Sequence, residues 1–259
     1  MYKLVLAEDE AIIRENLQRV FDWKRLGFEI VFSAANGQSA LAYIRKHAVD
    51  ALLTDVRMPG TDGIELMWAI KELRPELEVV FLTGYADFDY IKEAMQAHAF
   101  AYILKLDLMK ELEAAFTQLR MHIDRRKATA IYEEQISSMV MLLSQDGNDP
   151  ISQAQQYMLE HFTENLRIED VANRVYLSPA YFSRMFKNKL GVTYSDYIKE
   201  QRMALAYRLL ENTQLRVIDI SQETGYQDTK YFAQLFRERY GKLPSEIRGA
   251  DNAGGIEDA

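Results

Sequence analysis

Five short apolar runs, spaced almost evenly through the first 104 residues, limit what this chain can fold into. They fall at residues 3–7, 29–33, 50–54, 78–82 and 100–104 and are rich in Val, Ile, Leu and Phe. Between them lie helical patterns, such as Ile12, Leu17, Val20 and Phe21, then Ala40, Leu41 and Ile44. A strand that is apolar at nearly every position has helices covering both of its faces. Five such units predict a complete α/β domain around a five-stranded parallel sheet, wound in the order 2-1-3-4-5.

Most of these runs end in chemically useful residues. Glu8 and Asp9 follow the first, Asp55 the third, Thr83 the fourth and Lys105 the fifth. In an open parallel sheet, ligands bind beyond the carboxyl ends of the strands. Three carboxylates and an ammonium gathered there suit a Mg2+ ion and a carboxylate that accepts a phosphoryl group. Asp55 is the expected nucleophile, since a carboxylate can attack phosphorus to give an acyl phosphate. Asp9 and Asp55 offer hard oxygen ligands, with the backbone carbonyl of Arg57 as a third. Glu8 reaches the ion through water, which Mg2+ tends to retain. Lys105 pairs with a phosphate oxygen, because the transferring group carries spread negative charge. Thr83 either donates its hydroxyl to the phosphate or caps a helix.

The 259 residues contain no cysteine, so disulfides and thiolate metal sites are excluded, and four scattered histidines argue against zinc. The first ten residues lack the apolar core of a secretory leader, and the expected location is the cytoplasm. The net charge of −8 is uneven. Residues 1–124 carry 14 Lys/Arg against 20 Asp/Glu, whereas residues 151–248 carry 14 against 12. That balance alone is weak support for a nucleic-acid partner.

Residues 109–143 read as helix, with Leu112, Phe116, Leu119 and Ile123 at three-four spacing and a second stripe at Ile136, Met139, Val140 and Leu143. Two readings stay open here: a last helix running on into a connecting helix, or an amphipathic helix followed by a linker. Asp146-Gly147-Asn148-Asp149-Pro150 is the sharpest boundary in the sequence. The resulting division is a first domain at 1–124, a helical connector at 125–150, an all-α domain at 151–248 and an acidic flexible tail at 249–259.

The all-α part contains a repeat. Ser178, Phe182, Phe186 and Gly191 recur as Asp228, Phe232, Phe236 and Gly241, fifty residues on, while Val171-Ala172 recurs as Ile220-Ser221, forty-nine on. Each copy reads as a short helix, a tight turn and a capped second helix, which is a helix-turn-helix pattern. A long helix near Tyr194–Asn212 joins the two. Second helices of this kind enter the major groove near their N-termini. With Phe182 and Phe186 facing inward, Ala180, Ser183, Arg184 and Lys187 face out. In the second copy Thr229, Lys230, Ala233, Gln234 and Arg237 are expected outside. Arg184 suits guanine and Gln234 suits adenine, while Lys230 reads guanine or touches only phosphate.

Residues 1–124 resemble a two-component receiver, a flavodoxin-like fold. The matching segments are Ala7-Glu8-Asp9-Glu10, Asp55 to Gly63, Thr83-Gly84-Tyr85 and Tyr102 to Lys105. The resemblance implies phosphorylation of Asp55 by a histidine kinase and a switch pair formed by Thr83 and Tyr102. One departure stands out. The family usually has a cis proline after the lysine, and here Leu106 follows. The loop is therefore rebuilt in trans or stores the roughly 2.5–4 kcal/mol of a cis non-proline bond.

Residues 158–248 resemble an AraC-type DNA-binding domain, through Ser178 to Phe186, Arg202-Met203-Ala204, Gly225 to Phe236 and Pro244 to Arg248. Together the two resemblances suggest a YesN-like response regulator, not an enzyme beyond its own phosphorylation and slow dephosphorylation. The implied partners are a cognate sensor histidine kinase, double-stranded promoter DNA and a second copy of the chain on activation. RNA polymerase is a further candidate. The alternative is a phosphorylation-independent DNA binder or scaffold with a degenerate receiver. A phosphatase using a covalent aspartyl phosphate is disfavoured, because no large substrate-binding insertion is visible.

Overall fold

The computed structural model describes residues 1–84, 99–143 and 149–250. Tyr85, the boundary residues Asp146 to Asn148 and the tail beyond residue 250 lie outside them. The chain divides into two units, Met1–Ile123 and Asp124–Ala259.

In the first unit the described elements are β1 (Tyr2–Ala7), α1 (Ala11–Val20), α2 (Trp23–Leu26), β2 (Phe28–Ala34), α3 (Gly37–Lys46), β3 (Ala51–Asp55), α4 (Gly63–Leu73), β4 (Glu78–Thr83) and β5 (Ala101–Leu104). The strands form one parallel sheet in the order β2-β1-β3-β4-β5. Alternate strand residues feed opposite cores, as the period of two requires. Val5, Leu52, Val79 and Phe81 pack with Ala40, Ile44, Ile64, Met67 and Ile70. Leu4, Leu6, Leu53, Val80 and Leu82 pack on the other face with Leu17, Trp23 and Phe116. Both faces are covered, which is why the runs are apolar throughout.

A 3-10 turn at Lys105–Asp107 leads into α5 (Leu108–Leu143), 36 residues without a break. Leu112, Phe116, Leu119 and Ile123 are fully buried in the first unit. Beyond Ile123 the buried line differs from the second stripe read in the sequence. It runs through Asp124, Ile131 and Gln135, with Ala128 and Ile136 half-buried against the same core, while Met139, Val140 and Leu143 are also only half-buried. Two polar residues hold that line. Asp124 Oδ1 accepts from the Gln214 backbone N–H at 2.5 Å, and Gln135 Nε2 donates to the Gln201 carbonyl at 3.1 Å. Residues 125–143, within the stretch 125–150 expected as a connector, thus supply part of the second unit's core.

That unit continues with α6 (Pro150–His161), α7 (Ile168–Arg174), α8 (Pro179–Leu190), α9 (Tyr194–Asn212), α10 (Val217–Glu223), α11 (Thr229–Tyr240) and α12 (Pro244–Ala250). Phe182, Phe186, Phe232 and Phe236 are fully buried, with Leu205, Ala206 and Leu209 of α9 in the same cluster. The repeat is geometric as well as sequential. Leu177 N donates to Ala172 O and Tyr226 N to Ser221 O, at 2.9 and 2.8 Å. Tyr176 (φ 57°) and Gly225 (φ 85°) take the same left-handed place in the two turns. A side chain at Gly225 would meet the Thr163 carbonyl at 2.4 Å, so glycine is required there. Arg202 closes this corner by donating to the carbonyls of Phe162, Glu164 and Gly225.

Candidate functional site

Register brings the strand ends level. Ala7 pairs with Thr54, Asp55 with Leu82 and Thr83 with Leu104. The residues that end or follow these strands therefore meet at one edge. One carboxylate oxygen from each of Glu8, Asp9 and Asp55 lies within 4.8 Å of the others. Lys105 Nζ sits 2.7 Å from Asp55 Oδ2, 3.1 and 3.0 Å from the two Glu8 oxygens and 3.9 Å from Glu10.

The electrostatics follow from burial. Glu8 is wholly inaccessible, and removal from water pushes its pKa up to about 7. The Lys105 hydrogen bond works against that shift, and the nearby Asp55 charge adds to it. Lys105 feels the opposite balance. Burial opposes its charge, but hydrogen bonds from its ammonium to Asp55 and Glu8 prevail and hold its pKa above the ordinary value. Clustered hard oxygens, one of them on a buried acid incompletely neutralised by a single lysine, fit a divalent cation.

Local packing positions the cluster. The Arg14 guanidinium donates to the carbonyls of Glu8 and Asp9 at 2.6 and 3.1 Å, fixing the turn after β1. Gly63 N donates to Val56 O, and a side chain at Gly63 would lie 2.2 Å from the Asp55 carbonyl. Only glycine lets α4 start so close to Asp55. Asp62 caps that helix in a reciprocal box with Glu65. Arg14 is not among the site residues expected from the sequence, and its role shows only in these contacts.

Thr83 ends β4 and is buried. The Tyr102 ring packs on Phe81 with centroids 6.4 Å apart, and its hydroxyl is buried without a hydrogen-bond partner among the described residues. Arg57 N donates to Asp55 Oδ1 at 3.3 Å. Leu106 lies in the 3-10 turn with 86% of its surface exposed, and no peptide bond among the described residues is cis. Of the two expectations for this loop, the trans arrangement is the one present, and Lys105 still reaches Asp55.

In the second unit Ala180, Ser183, Arg184 and Lys187 are exposed on α8, as are Lys230, Gln234 and Arg237 on α11. Three expectations need correction. Thr229 and Ala233 are half-buried rather than exposed, and the Thr229 hydroxyl sits 3.0 Å from Ser221 Oγ. Thr229 opens α11 directly over the end of α10, so its hydroxyl turns inward. Ser178 stands at the N-cap of α8, yet its side chain makes no capping hydrogen bond. Proline at the next position leaves one fewer backbone N–H to satisfy. Asp228 does cap α11, accepting from the N–H groups of Lys230 and Tyr231.

Comparison with known proteins agrees with this division. A model described as a response regulator receiver domain matches residues 4–117, and one described as a helix-turn-helix domain matches residues 171–250. An uncharacterized response regulatory protein of Staphylococcus epidermidis is 29% identical over 95% of this chain and 98% of its own length. The transcriptional regulatory protein HptR of Staphylococcus aureus is 26% identical, with the same coverage of both chains. A solved DNA-binding response regulator of the LuxR family from Staphylococcus aureus is 26% identical, covering 46% of this chain and 98% of that one, with a TM-score of 0.42. The narrower AraC-type, YesN-like expectation is corrected accordingly. The matching model is described as a helix-turn-helix domain, without that class. Two helices joined by a tight turn recur across many DNA-binding classes, so the local signature does not discriminate among them.

Proposed function

The chain is a response regulator, a receiver domain coupled to a helix-turn-helix DNA-binding domain, and from that premise we propose that its output is set by phosphorylation of Asp55. A phosphohistidine on a cognate sensor kinase is the donor. An Asp55 oxygen attacks phosphorus while the P–N bond breaks and its electron pair returns to the imidazole. The observation that carries this reading is Lys105 Nζ at 2.7 Å from Asp55 Oδ2, at the edge where Glu8 and Asp9 converge.

Glu8, Asp9, Asp55 and the Arg57 carbonyl would hold Mg2+, which supplies positive charge against the phosphoryl oxygens. Lys105 holds one of those oxygens and the Thr83 hydroxyl another. Thr83 and Tyr102 then report the modified state, and a second copy of the chain pairs through the receiver. Promoter DNA is bound through Ala180, Ser183, Arg184 and Lys187 on one helix and Lys230, Gln234 and Arg237 on the other, with Thr229 at the start of the second. RNA polymerase is a further partner, and the cytoplasm is the site of action. Among the described residues no helix is long and apolar enough to cross a membrane.

Incubating the full chain with acetyl phosphate and Mg2+, followed by intact-mass measurement, tests the assignment. A single added phosphoryl group is expected on the wild type and none on Asp55→Asn. An unchanged yield on Asp55→Asn would remove Asp55 from the mechanism. Sedimentation with and without the phosphodonor tests the dimer, and an unaltered monomer–dimer equilibrium would refute it.

A further inference from the structure

The two helix-turn-helix units superpose in sequence but not in charge. Residues 168–190 carry four Lys/Arg and two Asp/Glu, whereas residues 217–240 carry three and four. The net charges are therefore +2 and −1. At equivalent places the first copy has Arg174, Ser178 and Asn188 where the second has Glu223, Asp228 and Glu238. All six side chains are exposed, so the difference faces solvent and whatever binds there.

The contrast is sharpest on the recognition helices. On α8, Arg184 and Lys187 share the exposed face with the neutral Asn188. On α11, Gln234 Nε2 donates to Glu238 Oε1 at 3.1 Å. The side chain best suited to adenine is thus already engaged, and its partner carries the same sign as DNA. The Arg239 guanidinium next in line is spent on Glu200, with contacts at 2.6 to 2.9 Å, as Lys189 at the equivalent place on α8 is on Asp149 at 2.6 Å, so the difference between the helices rests on Glu238 and Asn188.

We propose that the two units are unequal by construction. The α7–α8 unit is the electrostatic anchor on DNA. The α10–α11 unit is restrained by Glu238, which offsets its cations and holds Gln234 until a matching base competes for the amide. The proposal rests on the reading of α8 and α11 as DNA-facing helices. It predicts that counterion release comes mainly from the first unit, while the second adds discrimination with little affinity for arbitrary sequence.

The test uses the full chain and a duplex that the wild type selects from a randomised DNA library. Glu238→Gln keeps the length and helical preference of the side chain and removes its charge. Asn188→Glu transfers the acid to the first unit. Glu238→Gln should tighten binding about three- to tenfold at low salt, with the gain fading at high salt and the salt slope steepening by about one unit. Asn188→Glu should weaken binding about tenfold and flatten the slope by a similar amount. Thermal melts of both variants verify that these exposed substitutions leave the fold intact.

Should Glu238→Gln weaken binding with loss of preference at one cytosine, Glu238 is a base reader and the restraint is refuted. No change with Glu238→Gln, while Arg184→Ala still weakens binding, also overturns the restraint but keeps α8 on DNA. If Arg184→Ala is silent too, the underlying reading of the helices fails.

Discussion

In the receiver, the groups proposed to handle phosphate are withdrawn from water. Glu8 is wholly buried, Asp55 is 6% exposed, and Lys105 bridges them. On the recognition helices Arg184, Lys187, Lys230 and Arg237 stand in solvent. The first arrangement suits chemistry, because fixed charges in a low-dielectric edge act strongly and without reorganisation. The second suits reversible docking, because exposed charges act at range and are screened by salt. Substitutions in the receiver cluster should therefore be severe and pH-sensitive. Those on the helices should be graded and salt-sensitive.

The largest effect should come from Lys105. Removing it leaves Asp55 and Glu8 facing each other without their shared cation, so Lys105→Ala should abolish most phosphorylation by acetyl phosphate. A near-normal yield in a quantitative mass assay would show that the cluster is not organised around this ammonium.

Next in size are the base contacts. Arg184→Ala should cost about 1–3 kcal/mol on the preferred duplex and flatten discrimination at its own base. Gln234→Ala should cost less than about 1 kcal/mol, since the amide must first leave Glu238. Titrations against singly substituted duplexes measure both. An equal loss on every sequence would make Arg184 a backbone clamp.

Glu8 sharpens the comparison through pH. Its folded pKa lies near 7, above the ordinary 4.5, so the folded receiver holds this proton more firmly than the unfolded chain. The associated stability is fully present below pH 4.5 in metal-free buffer and is lost as pH rises through about 7. Glu8→Gln should therefore be more stable than the wild type at pH 8, by on the order of 1–3 kcal/mol. Urea unfolding at several pH values should show the difference shrinking toward pH 5. A difference independent of pH would mean that the buried carboxylate is not what titrates.

Lys187→Ala should give the smallest effect. As a contact to phosphate alone, it should weaken all sequences alike and lower the salt slope by about one unit. Loss of preference at a single base would move Lys187 into the reading set.

Much of this was legible in the chain itself. Five apolar runs read as five strands because a strand covered on both faces leaves few polar positions along it, and the residues after those runs became the site because register aligns strand ends. The phenylalanine pairs of the repeat marked their helices' inner faces through simple helical period. Polar residues were harder. Arg14, Asp124, Gln135 and Arg202 sit in helical patterns where they pass for solvated side chains. Asp124, Gln135 and Arg202 instead satisfy backbone groups distant in sequence, Arg14 reaches back to the carbonyls of Glu8 and Asp9, and nothing local distinguishes the two roles. Thr229 departs from its expected exposed place because its hydroxyl turns inward to the Ser221 hydroxyl.

Composition and period by themselves determined which segments are strands, which are helices and which faces are apolar, because those depend on neighbours two to four residues away. The tertiary structure alone decided that α5 beyond Ile123 belongs to the helical unit's core, that Leu106 leaves Lys105 on Asp55, and that Gln234 is held by an acid. The first two depend on groups brought together from far apart in the chain. The third is a choice of rotamer on one helix face, which spacing permits but does not impose.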